Sequence, residues 1–439
     1  MKKKNNITVL NFKETRTPKD TFSYYTHNAV YLFFYCICAV LIGIVTGAID
    51  ALFGIVLLRI TDYRSENPFY FIPFLALAGL AIFFIYDRFG KETQSGMKLV
   101  FERAQNRRSQ IRLRLIPFVT LSTWLTHLFG GSAGREGVAV QIGGTLGSFT
   151  AQKIMRHDKN SAEILTITGM AAGFGGLFRT PMAAIFFATE VICVGRIKIK
   201  ALLPAFISAY TASFVSGDLG LEKFTVVSDI TLNTDVQSVA ALCMAGVFFG
   251  IAGGSFAFSI KKVKKLLSHL MPNPYVKIAA TGAVISIFSL LLYNGRYSGL
   301  GTNLIADAVG GGEIYYWDFI LKFIFTVVTL SAGYQGGEVT PLFAIGASLG
   351  VVLALLFNMP VLLFAALGYA AVFGAATNTL IAPIFIGVEV FGYQYMPYFF
   401  VVCVLAYIIN GNNSIYSFEK KDQVISINNK RKIIIKHNT

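Results

Sequence analysis

The sequence predicts an all-α polytopic membrane protein made of two repeated halves, with interrupted and re-entrant helices. Three observations carry that reading. Of 439 residues, 54% are hydrophobic and only 14% charged, with a mean hydropathy of +0.60. A soluble chain has about a quarter of its residues charged, so this one lacks the polar surface that water demands. Apolar runs approaching or exceeding the ~20 residues that cross a bilayer recur along the chain. Finally, glycine-bearing turns sit inside apolar sequence, and irregular backbone at membrane depth survives only within protein or beside a water-filled cavity.

Single spans are expected at 31–58, 69–86, 115–129, 201–215, 239–260, 276–292, 319–330 and 396–409. The stretches 161–195 and 361–392 are each long enough for more than one span and carry a Gly/Pro-containing break. Residues 169–191 (GMAAGFGGLFRTPMAAIFFATEV) and 368–390 (GYAAVFGAATNTLIAPIFIGVEV) align without a gap at 11 identities, ending on Glu190-Val191 and Glu389-Val390. Ile142-Gly-Gly-Thr-Leu-Gly147 likewise matches Ile345-Gly-Ala-Ser-Leu-Gly350. An internal repeat with broken helices is the mark of a transporter whose site lies at the repeat interface. The halves are expected at about 30–215 and 236–409, between an N-terminal segment 1–29 and a basic tail 419–439.

The net charge of +15 is placed around the spans. Lys2, Lys3, Lys4, Lys13, Arg16 and Lys19 precede the first run, and Lys420, Lys421, Lys430, Arg431, Lys432 and Lys436 follow the last. That asymmetry puts both termini in the cytoplasm and leaves no role for nucleic acid, whose basic surfaces interleave with aromatics. The five cysteines form no CxxC pair and have no histidine at ligand spacing, so neither a metal nor a cofactor is expected.

Two turns carry the chemistry. Gly130-Gly-Ser-Ala-Gly134-Arg135-Glu136-Gly137 stands between two apolar helices. Helix N-termini offer unpaired N–H groups and a partial positive charge, which suit an anion or the Glu136 carboxylate in its place. A carboxylate that competes with an anion when ionised and leaves when protonated couples the two ions. A structural Arg135–Glu136 pair is the bland alternative, but neighbours on a helix do not face each other. The second turn is Gly333-Tyr-Gln-Gly-Gly-Glu338-Val339-Thr340-Pro341. Pro341 suits a first helical position with Thr340 as its cap, which would leave the N–H groups of Leu342 and Phe343 to face an anion. Glu338 is a second carboxylate nearby, and the repeat alignment sets Glu136 opposite Val339. Gly130-Gly-Ser132-Ala-Gly134 also fits a hydrolase elbow, but an apolar helix precedes it in place of a strand and none of the five histidines lies in a downstream membrane motif, so no enzyme is expected.

With the segment Lys91–Phe101 and Asn412-Asn-Ser-Ile-Tyr416, these turns resemble the CLC family of anion channels and proton-coupled antiporters, over about residues 30–418. The most specific part is Gly134-Arg-Glu-Gly137 followed by Val140-Gln-Ile-Gly143. The resemblance implies an inverted-repeat homodimer in the cell membrane, of a bacterial inner membrane by composition. It implies a central anion site where helix N-termini meet, with Glu136 as proton-binding gate and Tyr416 as anion hydrogen-bond donor. Met97 stands where chloride-type members carry the coordinating serine, and Val138 where they carry proline. With Gly-Gly-Glu-Val-Thr-Pro at 336–341, these departures resemble the fluoride/proton antiporter branch. There the positions matching Glu338, Val339 and Thr340 are functional. Val191 replaces the internal proton-relay glutamate of chloride exchangers, which leaves Glu338 as the available carboxylate. The anion-contacting set implied is Met97, Gly134, Arg135, Gly137, Val339, Thr340, Phe343 and Tyr416. Expected partners are fluoride, protons and the bilayer; a chloride channel or chloride/proton antiporter is the alternative.

Overall fold

A computed structural model describes residues 18–107, 110–155, 160–226, 229–230, 235–416 and 420–421. The first half comprises α1 (Pro18–Glu66), α2 (Pro68–Phe71), α3 (Leu75–Phe89), α4 (Met97–Ala104), α5 (Leu115–Leu128), α6 (Glu136–Lys153), α7 (Ser161–Phe178), α8 (Pro181–Glu190) and α9 (Ile199–Asp218). The second comprises α10 (Val236–Leu270), α11 (Pro274–Leu291), α12 (Thr302–Gly310), α13 (Asp318–Ala332), α14 (Val339–Phe357), α15 (Val361–Thr377), α16 (Ile381–Phe391) and α17 (Met396–Ile409). Among the described residues, the only strand pairing beyond one isolated bridge is Cys193–Val194 beside Lys420–Lys421. Among the described residues, seven helical segments are long and apolar enough to span a membrane, Pro68–Phe89 counting as one. The N-terminal tail and most of the basic C-terminal tail lie outside the described residues.

The helices of α1 and α3–α9 recur in order as α10–α17. The packing recurs with them: α6 against α7 as α14 against α15, α1 against α9 as α10 against α17, and α3 against α5 as α11 against α13. Without a hydrophobic drive between helices in lipid, close packing depends on small residues. A side chain on Gly143 would collide with the Gly169 carbonyl, and one on Gly346 with that of Gly368, so both repeats are held by the same backbone approach.

The two long stretches break as expected, at slightly different chemistry. α7 ends on Arg179 (φ 57°) before Pro181, and α15 ends on Asn378 (φ 58°). The second break thus uses a left-handed asparagine, not glycine or proline; Pro383 is already inside α16. At these breaks the halves cap one another. Glu389 accepts from the N–H groups of Met182 (3.1 Å) and Ala183 (2.9 Å) at the start of α8. Glu190 accepts from Leu380 (2.6 Å), Ile381 (3.1 Å) and Ala382 (3.3 Å) at the start of α16. Phe186 and Phe385 stack between them at 4.6 Å and 16°. In the repeat alignment these are equivalent pairs, so a two-fold relation passes between the stacked rings.

Candidate functional site

The two turns meet. Gly134 and Gly337 form an antiparallel bridge, each N–H donating to the other's carbonyl at 2.5 and 2.7 Å. Both positions must be small. A Cβ on Gly134 would stand 2.6 Å from Glu136 Oε2 and 2.9 Å from Pro341 Cδ, and one on Gly337 would stand 2.8 Å from the Gly137 nitrogen. This joins the starts of α6 and α14, whose first residues are Glu136 and Val339, the pair set opposite by the repeat alignment.

The fully buried Glu136 side chain crosses this junction. Its Oε2 accepts from the Arg135 N–H (3.1 Å) and the Thr340 N–H (3.0 Å), and its Oε1 from the Thr340 hydroxyl. The carboxylate therefore occupies the anion-attracting space at the N-terminus of the opposite half's helix. No salt bridge to Arg135 forms. The Arg135 guanidinium lies 5.8 Å from the centroid of the Phe178 ring, and its Nε and Nη1 have no hydrogen-bond partner among the described residues.

The second turn differs from its sequence reading. α14 begins at Val339 with Glu338 as N-cap residue, so Thr340 and Pro341 are inside the first turn. The Leu342 N–H is used by the Glu338 carbonyl (3.2 Å). It is the Thr340 N–H that points at the site. The Pro341 ring lacks a donor, which costs nothing in a first turn. Glu338 is half-buried beside Gly137, where a Cβ would be 3.6 Å from its Oε2.

Phe343, named for its N–H, contributes its ring. It stacks on Tyr369 at 3.9 Å and 12° and meets Phe178 at 5.7 Å and Phe373 at 5.3 Å. Phe373 then meets Phe187 at 5.9 Å, which meets Tyr416 at 6.2 Å. An unbroken file of rings thus runs from Arg135 to Tyr416. Single-residue motif reading missed Phe178, Phe187, Tyr369 and Phe373, although all four fall in the repeated windows. Met97 is the first residue of α4, partly buried against the core. Gly96 before it (φ 44°) abuts the Gln141 side chain, whose Oε1 is buried without a partner. The motif residue Gln141 thereby ties the α4 start to α6.

A model of the family described as "Voltage gated chloride channel" matches residues 78–411. The chain is 33% identical over 386 residues to a chloride/fluoride channel protein of Pseudomonas syringae pv. tomato, covering 87% of this chain and 85% of that one. It is 25% identical over 408 residues to an H(+)/Cl(-) exchange transporter ClcA of Vibrio campbellii, covering 86% and 87%. Among solved structures, a CLC-type fluoride/proton antiporter superposes with a TM-score of 0.85 at 45% identity, over 93% of this chain and all of that one. A slow cyanobacterial Cl-/H+ antiporter shares the fold at a TM-score of 0.75 and 20% identity, over 86% and 94%.

Proposed function

The chain belongs to the voltage-gated chloride channel (CLC) family of ion-transporting membrane proteins, and from that membership we propose that it exports fluoride in exchange for protons, with Glu136 as the proton-operated gate. One observation carries the reading: a buried carboxylate held across the junction of the two repeats by Thr340 and the Arg135 N–H. Protonation removes the charge that these donors stabilise, so the side chain leaves and an anion takes its place. Deprotonation reverses the exchange.

Fluoride is small and strongly hydrated, and its desolvation is offset by charge-assisted N–H and hydroxyl donors. The first turn of α14 supplies both kinds at Thr340. The edges of aromatic rings are electropositive, so the Phe343–Phe373–Phe187 file suits a small anion that has left the gate. Arg135, Gly134, Gly137, Val339 and Tyr416 frame this path, Met97 replaces a chloride-binding hydroxyl, and Glu338 carries protons where Val191 does not. The identity to a fluoride/proton antiporter favours fluoride over the chloride alternative.

The same reading places residues 30–418 in a bacterial cell membrane, with 1–29 and 419–439 cytoplasmic and two copies forming a dimer. Exposed apolar side chains on α9 (Leu203, Phe206, Phe214) and α17 (Phe400) offer a face for the second copy. The test is reconstitution in liposomes loaded with fluoride or chloride, reading anion efflux and lumenal pH together. Fluoride efflux with opposite proton flow is expected, and Glu136→Gln should abolish the coupling. Chloride efflux as fast as fluoride efflux would refute the substrate assignment, and intact proton coupling in Glu136→Gln would refute the gate.

A further inference from the structure

Away from the gate, a cavity of about 600 Å³ lies between the end of α1, the loop before α12 and the start of α12. It includes none of the residues of the two gate turns. Its polar lining includes Arg64, Arg296, Ser298, Thr302 and Asn303, with one carboxylate, the exposed Asp62. α1 starts at the chain's N-terminal side, so its far end places the cavity on the opposite face, which is the outer face in the proposed orientation.

The two arginines at this cavity differ in their partners. Arg296 is matched, by Asp318 at 2.9 Å and Asp307 at 3.5 Å. Arg64 is not. It is only 4% exposed, and it donates to the His127 carbonyl (3.0 Å) and to Ser65 Oγ (3.2 Å). No carboxylate among the described residues pairs with it at ion-pair distance. Those bonds use two of the five N–H groups of a guanidinium. Just behind the wall lies Lys322, fully buried. A Cβ on Gly301 would come 2.7 Å from its Cε and 3.3 Å from its Nζ. Lys322 Nζ donates to Ser132 Oγ (2.9 Å), the Gly299 carbonyl (2.7 Å) and the Tyr297 carbonyl (3.1 Å), again with no carboxylate. Lys322 thus has an acceptor for each of its three N–H groups, whereas Arg64 is a buried guanidinium with no ion pair, which is costly in a membrane protein. An anion in the cavity would offset that cost.

We propose that this cavity is a second anion site, which takes a tetrahedral oxyanion of the sulfate or phosphate type on Arg64. The planar fork of a guanidinium suits two oxygens at once, and the cavity exceeds what a halide fills. The N-terminus of α12 at Thr302 adds donors of the same polarity. The site is wired to the gate. The Gly299 N–H donates to the Gly131 carbonyl (3.0 Å), and the Ala133 N–H donates to the Gly299 carbonyl (3.2 Å). Arg64 also grips the His127 carbonyl, and His127 Nε2 lies 3.0 Å from the Ala133 carbonyl. Occupancy therefore bears on the backbone that leads to Glu136, and the oxyanion acts as a regulator. A lipid phosphate offers the same chemistry as a free oxyanion, and the experiment separates the two.

The test uses the full chain. Sodium sulfate is titrated by calorimetry against protein in a neutral detergent, and phosphatidylglycerol is titrated into the same micelles. Arg64→Gln should weaken binding about tenfold or more. Ala306→Trp should block it from the exposed cavity mouth while keeping Arg64 in place, so it decides the matter if Arg64→Gln does not fold. Saturable sulfate binding lost in Ala306→Trp supports a free oxyanion; loss seen only with phosphatidylglycerol supports a lipid phosphate at the same site. Binding of neither, or equal binding in wild type and Ala306→Trp, overturns the proposal. The regulatory clause rests on the transport reading above. It is tested by external sulfate changing the rate of fluoride efflux in wild type but not in Ala306→Trp. Glu136→Gln should still bind sulfate saturably, and Ala306→Trp should still abolish that binding in the Glu136→Gln background, so failure of the gate assignment would leave the binding result intact.

Discussion

Thr340→Val isolates the latch on the proposed gate. Valine keeps the branched shape of threonine and the backbone N–H, so Glu136 retains its bonds from the N–H groups of Arg135 and Thr340 and loses only the hydroxyl. A hydrogen bond to a charged group contributes about 1.5–3 kcal/mol. The lost bond stabilises the ionised, docked carboxylate and does little for the protonated, departed one. Removing it lets the gate leave at a lower proton concentration. At about 1.36 kcal/mol per pH unit, the midpoint of the pH profile of fluoride efflux should move up by about one to two units. The assay is a fluoride electrode on proteoliposomes across a pH series, with thermal unfolding in detergent to check the fold. An unchanged midpoint in a folded Thr340→Val protein would show that this hydroxyl does not hold the gate.

Three further outcomes follow from the packing. Gly143→Ala drives a methyl into the Gly169 carbonyl; overpacking of this kind costs about 1–3 kcal/mol, and a lower unfolding temperature in detergent should report it. Glu389→Ala uncaps α8 at a cost of about 0.5–2 kcal/mol, whereas Glu389→Gln keeps an acceptor and should lose less by the same measurement. Asp235 caps α10 through the Ser238 N–H at 2.9 Å, and its bonds to Ser238 hold its carboxyl below the usual aspartate range. A depressed acid stabilises the fold above its unfolded titration range and loses that contribution as pH falls through the folded one. Wild type should therefore approach Asp235→Ala in thermal stability in acid, while Asp235→Asn, which still caps but does not titrate, should show no such acid-dependent loss.

The periodic and repetitive features were legible because they are local. Apolar runs located the spans, the 169–191 and 368–390 windows located the broken helices, and Gly134-Arg-Glu-Gly137 located the helix start that carries Glu136. What escaped depends on partners distant in sequence. Glu190 and Glu389 read as ends of a repeat, yet their role is set by helix starts some 190 and 206 residues away. Pro341 invited a cap at Thr340, but with the backbone joined at the Gly134–Gly337 bridge the helix starts earlier and Glu338 is the cap residue. The ring file from Phe178 to Tyr416 had no motif of its own, because its members come from five segments and meet only when the halves close on each other.

The two junctions between the halves differ in a way that bears on transport. At Glu190 and Glu389 the exchange is reciprocal: each half sends a carboxylate to the other's helix start, and neither is distinguished. At the proposed gate the two-fold is broken. Glu136 reaches across to Thr340, but the residue in its equivalent position is Val339, which has no charge to send back. Glu338, one residue off the equivalent place, ends as an N-cap residue whose side chain makes no capping hydrogen bond. A symmetric junction with two reciprocal carboxylates would be locked from both sides, and release of one would leave the other in place. A single latch can be opened by a single proton. The uncharged Val339 is therefore as much a part of the proposed mechanism as Glu136 itself. Val339→Glu should restore the symmetry, crowd two carboxylates into one site, and slow fluoride efflux in the same liposome assay. Efflux at the wild-type rate in that variant would mean that the broken symmetry has no bearing on the gate.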